Sequence, residues 1–217
     1  MFTLSAECDQ CQHSWHTGNV PDKPYHHGAL ESALTDAAME VVRTSGIGAL
    51  ALRDLARSIG VSPSATYRHF PSRDHLVAHV SQLSREALAL AMLAALDHVP
   101  ITGGAKRRSV ARFEAIGHAY VEFAVEHPTL FEAAFTPCVV EPPRDDEPEA
   151  WAVLVDAIDQ MAESGAIPAA RRKDAPIIAW SGVHGLANIL TASIWPPEFA
   201  PDQEIDAVVK GISRAIR

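Results

Sequence analysis

Four metal-binding side chains stand within nine residues: Cys8, Cys11, His13 and His16, spaced Cys-x-x-Cys-x-His-x-x-His. Thiolate sulfur and imidazole nitrogen are the donors that hold zinc or copper. Structural zinc sites usually draw on two separated knuckles, however, and here one short segment would supply every ligand. The cluster reads equally as part of a mobile extension, and no metal is assigned to it. Elsewhere the chain has no phosphate loop, no Gly-x-Ser-x-Gly and no His-Glu-x-x-His. No catalytic set and no cofactor is expected. An enzyme on a helical scaffold remains an alternative that only the eleven histidines and the aromatic residues suggest.

A second set has different chemistry. Arg53, Tyr67, His69 and Arg73 carry groups that meet phosphate oxygens, and Ser62, Ser64, Ala65 and Thr66 are small enough for close approach to base edges. Gly60-Val61-Ser62 separates two short amphipathic segments, one carrying Leu52, Leu55, Ala56 and Ile59, the other running from Pro63 to about Phe70. Gly60 tolerates the positive φ of a tight turn, Ser62 is a helix cap, and Pro63 suits a first helical position. This is the pattern of a helix-turn-helix, whose second helix would enter the major groove of DNA. An ordinary helical hairpin with Gly and Ser as simple caps has the same pattern.

The elements around this pair are also helical. Leu30, Leu34, Ala37, Ala38 and Val41 recur at spacings of three and four from His27 onward, until Gly46 and Gly48. Ser72 caps a long helix from Arg73 that ends before Pro100. Further helices are expected over about 106–126, from Pro128 through Phe131, and over 149–164, 172–194 and 202–216. Residues 137–148, rich in Pro and acid, form a loop. No strand is expected. The fold class is all-α: a three-helix head and a larger helical body.

The net charge of −9 argues at first against nucleic acid, but it is unevenly spread. Residues 23–80 set Lys23, Arg43, Arg53, Arg57, Arg68 and Arg73 against Glu31, Asp36, Glu40, Asp54 and Asp74. That segment is the least acidic part of the chain, and DNA binding needs a local basic face, not a basic protein. Three cysteines make no disulfide framework. No apolar run is long enough for a membrane span and no secretory leader opens the chain, so a cytoplasmic protein is expected, without membrane contact.

Three stretches carry a family resemblance: Tyr25-His26-His27-Gly28-Ala29-Leu30, Ala49 to Ala56, and Gly60 to Phe70 with Arg73 and Leu76 beyond. Residues 25–80 resemble the DNA-binding domain of the tetracycline-repressor (TetR) family. The resemblance places Arg53, Tyr67 and Arg73 on phosphates, and Ser64 and Ala65 on bases. Ala51 departs from it, because the family often has Thr there. Trp180-Ser181-Gly182-Val183-His184-Gly185-Leu186 resembles the Trp-x-x-x-His-Gly signature of one C-terminal subclass, and His127-Pro128-Thr129-Leu130-Phe131 fits the same subclass. The implied organisation is a tail over 1–24, a DNA-binding head over 25–80 and a ligand-binding, dimerising body over 81–217.

The body supplies candidates for both implied roles. Phe123, Phe131, Phe135, Trp151, Trp180 and Trp195 could line a pocket, with His184 as a polar contact, or simply fill the core. Gly182, Gly185, Leu186 and Ile189 lie on a helix whose small residues admit a close neighbour, either a symmetry mate or another helix of the same subunit. The expected function is transcriptional regulation on a palindromic operator of double-stranded DNA. The expected agent is a homodimeric repressor released by a small-molecule effector of unknown identity. The alternative within this class is a metal sensor using Cys8, Cys11, His13 and His16.

Overall fold

The computed structural model describes residues 27–137, 148–192 and 201–217. The Cys–His cluster, Trp195 and the interior of the loop expected over 137–148 lie outside the described residues. Nine helices account for most of what is described: α1 (His27–Ser45), α2 (Leu52–Ser58), α3 (Pro63–His69), α4 (Arg73–Ala95), α5 (Ala105–Glu126), α6 (Pro128–Ala134), α7 (Ala150–Glu163), α8 (Ala175–Thr191) and α9 (Pro201–Ile216). Short 3₁₀ turns follow α1, α4 and α7. No strand occurs among the described residues, as the sequence pattern predicts.

Helices α1 to α3 form the head. Leu30, Leu34, Ala38 and Val42 repeat every four residues along α1, and all four are buried. They pack with Leu50, Leu52, Leu55 and Phe70 in one continuous apolar cluster. Gly60 closes α2 with φ +74°, a conformation that a side chain would strain. The Ser62 hydroxyl then accepts from the Ala65 N–H at 3.3 Å and caps α3. Ser72 caps α4 in the same way through the His75 N–H. At the start of α2 stands Ala51, which has no side chain to cap with.

Helix α4 belongs to both halves of the molecule. Its first turns bury Leu76, Val77 and Val80, and its last turns bury Leu88, Ala89 and Met92 in the body. The short helix α6 lies between the halves. The Thr129 hydroxyl donates to the Arg43 carbonyl of α1 at 3.1 Å. At the other end, Arg85 of α4 donates to the Ala134 carbonyl at 3.1 Å and is itself steadied by Gln82 at 2.6 Å. The remaining helices surround α5, which contacts α4, α7, α8 and α9.

Candidate functional site

The outer face of the head consists of Ser62, Pro63, Ser64, Tyr67 and Arg68 on or beside α3, with Arg53 on α2, all exposed. Tyr67 keeps 43% of its surface in solvent, high for an aromatic side chain with nothing to bind. The Ser62 and Ser64 hydroxyls lie 3.0 Å apart. Arg57 is tied to Asp54 at 3.0 Å, whereas neither Arg53 nor Arg68 has an ion-pair partner among the described residues. Arg68 was not among the residues expected to contact DNA. It sits next to Tyr67 on the same exposed face, which is the signal that could have found it.

The other four expected DNA contacts are placed differently. Thr66 is fully buried, its hydroxyl without a hydrogen-bond partner, and Ala65 is half-buried against the core. Thr66, with Phe70 four residues on, lies on the inner stripe of α3, so it holds the helix down instead of reaching outward. His69 is turned toward α1, with Nδ1 3.5 Å from a Glu31 carboxylate oxygen. Arg73 lies at the surface, but its guanidinium is used internally. Nε donates to the Leu50 carbonyl at 2.9 Å and Nη2 to the Ile47 carbonyl at 3.2 Å. Arg73 therefore clamps the chain between α1 and α2 to the first turn of α4.

In the body, a narrow crevice of about 20 Å³ opens among α4, α5, α7, α8 and α9. Met92, Phe113, Tyr120, Leu154, Trp180 and Val209 are among the side chains that line it. Gly117 shapes one wall, where a Cβ would stand 3.2 Å from Val209 Cγ1. Beside the crevice lies an aromatic cluster. The His184 ring is 4.6 Å from Phe135, 5.5 Å from Phe131 and 6.1 Å from Trp180, onto which it stacks. Tyr120 packs edge-on against Phe131 and Trp180 and hydrogen-bonds to His184 Nδ1 at 2.8 Å. Burial pushes the Tyr120 phenol far above its usual range and lowers the His184 imidazole, so both are neutral near pH 7.

The structure thus brings Phe131, Phe135, Trp180 and His184 together, with Trp151 at the margin, exposed but 5.6 Å from Trp180. Phe123 is not among the residues that line this crevice: it faces His127 at 5.2 Å and lines a second, more open groove with Ala91, His98, His118 and Glu122. Tyr120 itself was missed, although it joins cluster and crevice. Its spacing with Phe113, Ile116 and Phe123 marks a core position, and a buried tyrosine needs a partner for its hydroxyl.

The four residues expected at a subunit interface divide. A Cβ on Gly182 would stand 2.5 Å from Ile212 Cδ1 of α9, so this glycine admits a helix of its own subunit. Leu186 is buried in the core. Gly185 faces open space and Ile189 is 38% exposed. Ile177 and Ile178 continue the exposed apolar stripe of α8.

Among the described residues, no group of three or more His, Cys, Asp or Glu could hold a metal ion, and no helix is long and apolar enough to cross a membrane.

A glycine-turned helix pair, joined through one long helix to a helical body with an apolar crevice, is the architecture of a helix-turn-helix regulator. Residues 34–80 match the family model described as bacterial regulatory proteins, tetR family, and residues 113–211 match the tetracyclin repressor-like C-terminal domain. The chain belongs to the tetR family. It is 28% identical over 107 residues to an uncharacterized HTH-type transcriptional regulator of Bacillus subtilis, a match spanning 49% of this chain and 52% of that one. The fold is shared with a protein of unknown function from Rhodococcus sp. RHA1, at TM-score 0.71 and 23% identity over 90% of this chain and 99% of that one. It is shared too with a TetR family transcription regulator from Marinobacter aquaeolei, at TM-score 0.61 and 17% identity over 87% and 96% of the two chains.

Proposed function

We propose that the protein is a homodimeric repressor that leaves its palindromic operator when a small molecule enters the crevice of the body. The observation that carries this reading is the course of α4. Met92, near its end, lines the crevice, while Arg73, at its start, grips the carbonyls of Ile47 and Leu50 in the head. A ligand that wedges the crevice displaces α4, and the clamp passes that displacement to α2 and α3. Couplings of about 1–3 kcal/mol are typical of such switches.

Two copies are needed because a palindrome presents equivalent half-sites about 34–36 Å apart. The stripe of Ile177, Ile178, Gly185 and Ile189 on α8 would form the self-complementary contact. On each head, Ser64 and Ala65 face the bases, and Ser62, Tyr67, Arg53 and Arg68 meet the backbone. This agrees with the exposure of all but Ala65, which is half-buried.

Selection of genomic DNA fragments by the purified protein, at two salt concentrations, tests the reading. The expected result is enrichment of palindromic sites, with binding that weakens steeply as salt rises. Tyr67→Ala should weaken binding to every sequence alike. No enriched site at low salt, or unchanged binding by Tyr67→Ala, overturns the assignment.

A further inference from the structure

The composition of the crevice wall restricts the chemistry of an effector, given the proposal that effectors bind there. No Asp, Glu, Lys, Arg or His lines it. The only polar side-chain atoms among its lining residues are the Tyr120 hydroxyl and the Trp180 indole N–H. A charged group placed there would lose its hydration and find no counter-ion, which strongly disfavours binding.

The polar edge is neutral as well. Tyr120 and His184 share one hydrogen bond, and burial holds the phenol protonated and the imidazole uncharged. A hydroxyl has one proton and two lone pairs, so Tyr120 can keep His184 and still make one bond to a ligand. The remaining contact surface is aliphatic and aromatic, from Phe113, Ile116, Leu154, Val183 and Ile212.

We propose that the effector is an uncharged, mainly apolar molecule with a single hydrogen-bonding group, which parts the walls of this crevice, about 20 Å³ when empty, and seats that group at the Tyr120–Trp180 edge. Cations and carboxylates of the same size are excluded. Gly117 sets the width: a methyl group there would close on Val209, while alanine is the better helix former, so Gly117→Ala narrows the crevice without weakening α5.

Four matched bicyclic probes separate the possibilities: naphthalene, naphthol, naphthoate and naphthylmethylammonium, titrated calorimetrically into the full-length protein at pH 7.5. Naphthol is expected to bind roughly tenfold or more tightly than either charged probe. Gly117→Ala should weaken naphthol several-fold, and Tyr120→Phe should narrow its advantage over unsubstituted naphthalene. Thermal melting of both variants confirms that they are folded. Equal or tighter binding of a charged probe, no binding of naphthol, or naphthol affinity unmoved by both substitutions overturns the proposal. DNA-site selection on the same preparation keeps the two readings apart. Enriched sites without naphthol binding sink the ligand class and leave the regulator standing. Naphthol binding without enriched sites leaves the ligand class and sinks the regulator.

Discussion

Replacing Arg73 with Met tests whether this residue is a clamp or a phosphate contact. Met keeps most of the aliphatic stem and removes both well-formed hydrogen bonds, Nε to Leu50 at 2.9 Å and Nη2 to Ile47 at 3.2 Å. The Nη2 contact with the Gly48 carbonyl is longer, at 3.4 Å, and adds little to the sum. Bonds from a charged donor contribute about 1.5–3 kcal/mol when dry, and this guanidinium touches water, so about 1 kcal/mol each is the fitting figure. The variant should lose about 2 kcal/mol in denaturant unfolding at fixed protein concentration, which for a chain of this size is about 4–8 °C in Tm. Arg73→Lys should recover part of that, because an ammonium has a point charge but no fork. The salt slope of DNA binding supplies the second readout. A lost phosphate contact lowers the slope by about 0.9, whereas a lost clamp leaves it unchanged while the protein is folded. A stability loss below about 0.5 kcal/mol together with a reduced slope would refute the clamp.

Other substitutions probe the remaining parts. Ala51→Thr supplies a hydroxyl at an N-cap whose backbone is already extended, and should stabilise the protein by about 1 kcal/mol in chemical denaturation. Ile189→Asp puts a charge into the exposed stripe of α8. Light scattering should show the dimer shifting toward monomer, and an unchanged mass would remove α8 from the interface. His184 has a lowered pKa when folded and an ordinary value of 6.5 when unfolded, so the unfolded chain binds the extra proton first. Its contribution to stability is therefore complete above pH 6.5 and diminishes as pH falls toward the folded value. His184→Gln, which can still accept from Tyr120, should show a smaller drop in Tm between pH 7.5 and 5.5 than the wild type. Equal drops would mean that this ring is not the responsive group.

Element boundaries were legible because local chemistry sets them. Gly60, Ser62, Pro63, Ser72 and Pro128 act through backbone conformation and capping, which need no knowledge of distant contacts. Which way a residue faces was less legible. Thr66 and Phe70 share the inner stripe of α3, but a threonine in a DNA-facing helix reads as a hydrogen-bond donor until its burial is seen. Arg73 could be placed at the head of α4 from sequence, but the carbonyls that claim it lie 23 and 26 residues upstream. Gly182 illustrates a more general limit. Its small size announced a close approach, yet only the position of Ile212 on α9 identifies the helix that approaches. The aromatic cluster was read in most of its members, and Tyr120 was missed because its partner His184 lies 64 residues away.

Helix α6 has only seven residues, far too few to persist alone in water. It exists on borrowed stability, held by Thr129 at one end, Arg85 at the other and Phe131 between them. Its supports therefore fail together. Loosening one end frees the turn that presents the other, and the penalties for removing Thr129 and Arg85 singly should sum to more than the penalty for removing both. Such a segment acts as a keystone between head and body, whole while its neighbours press on it and gone as a unit when they part.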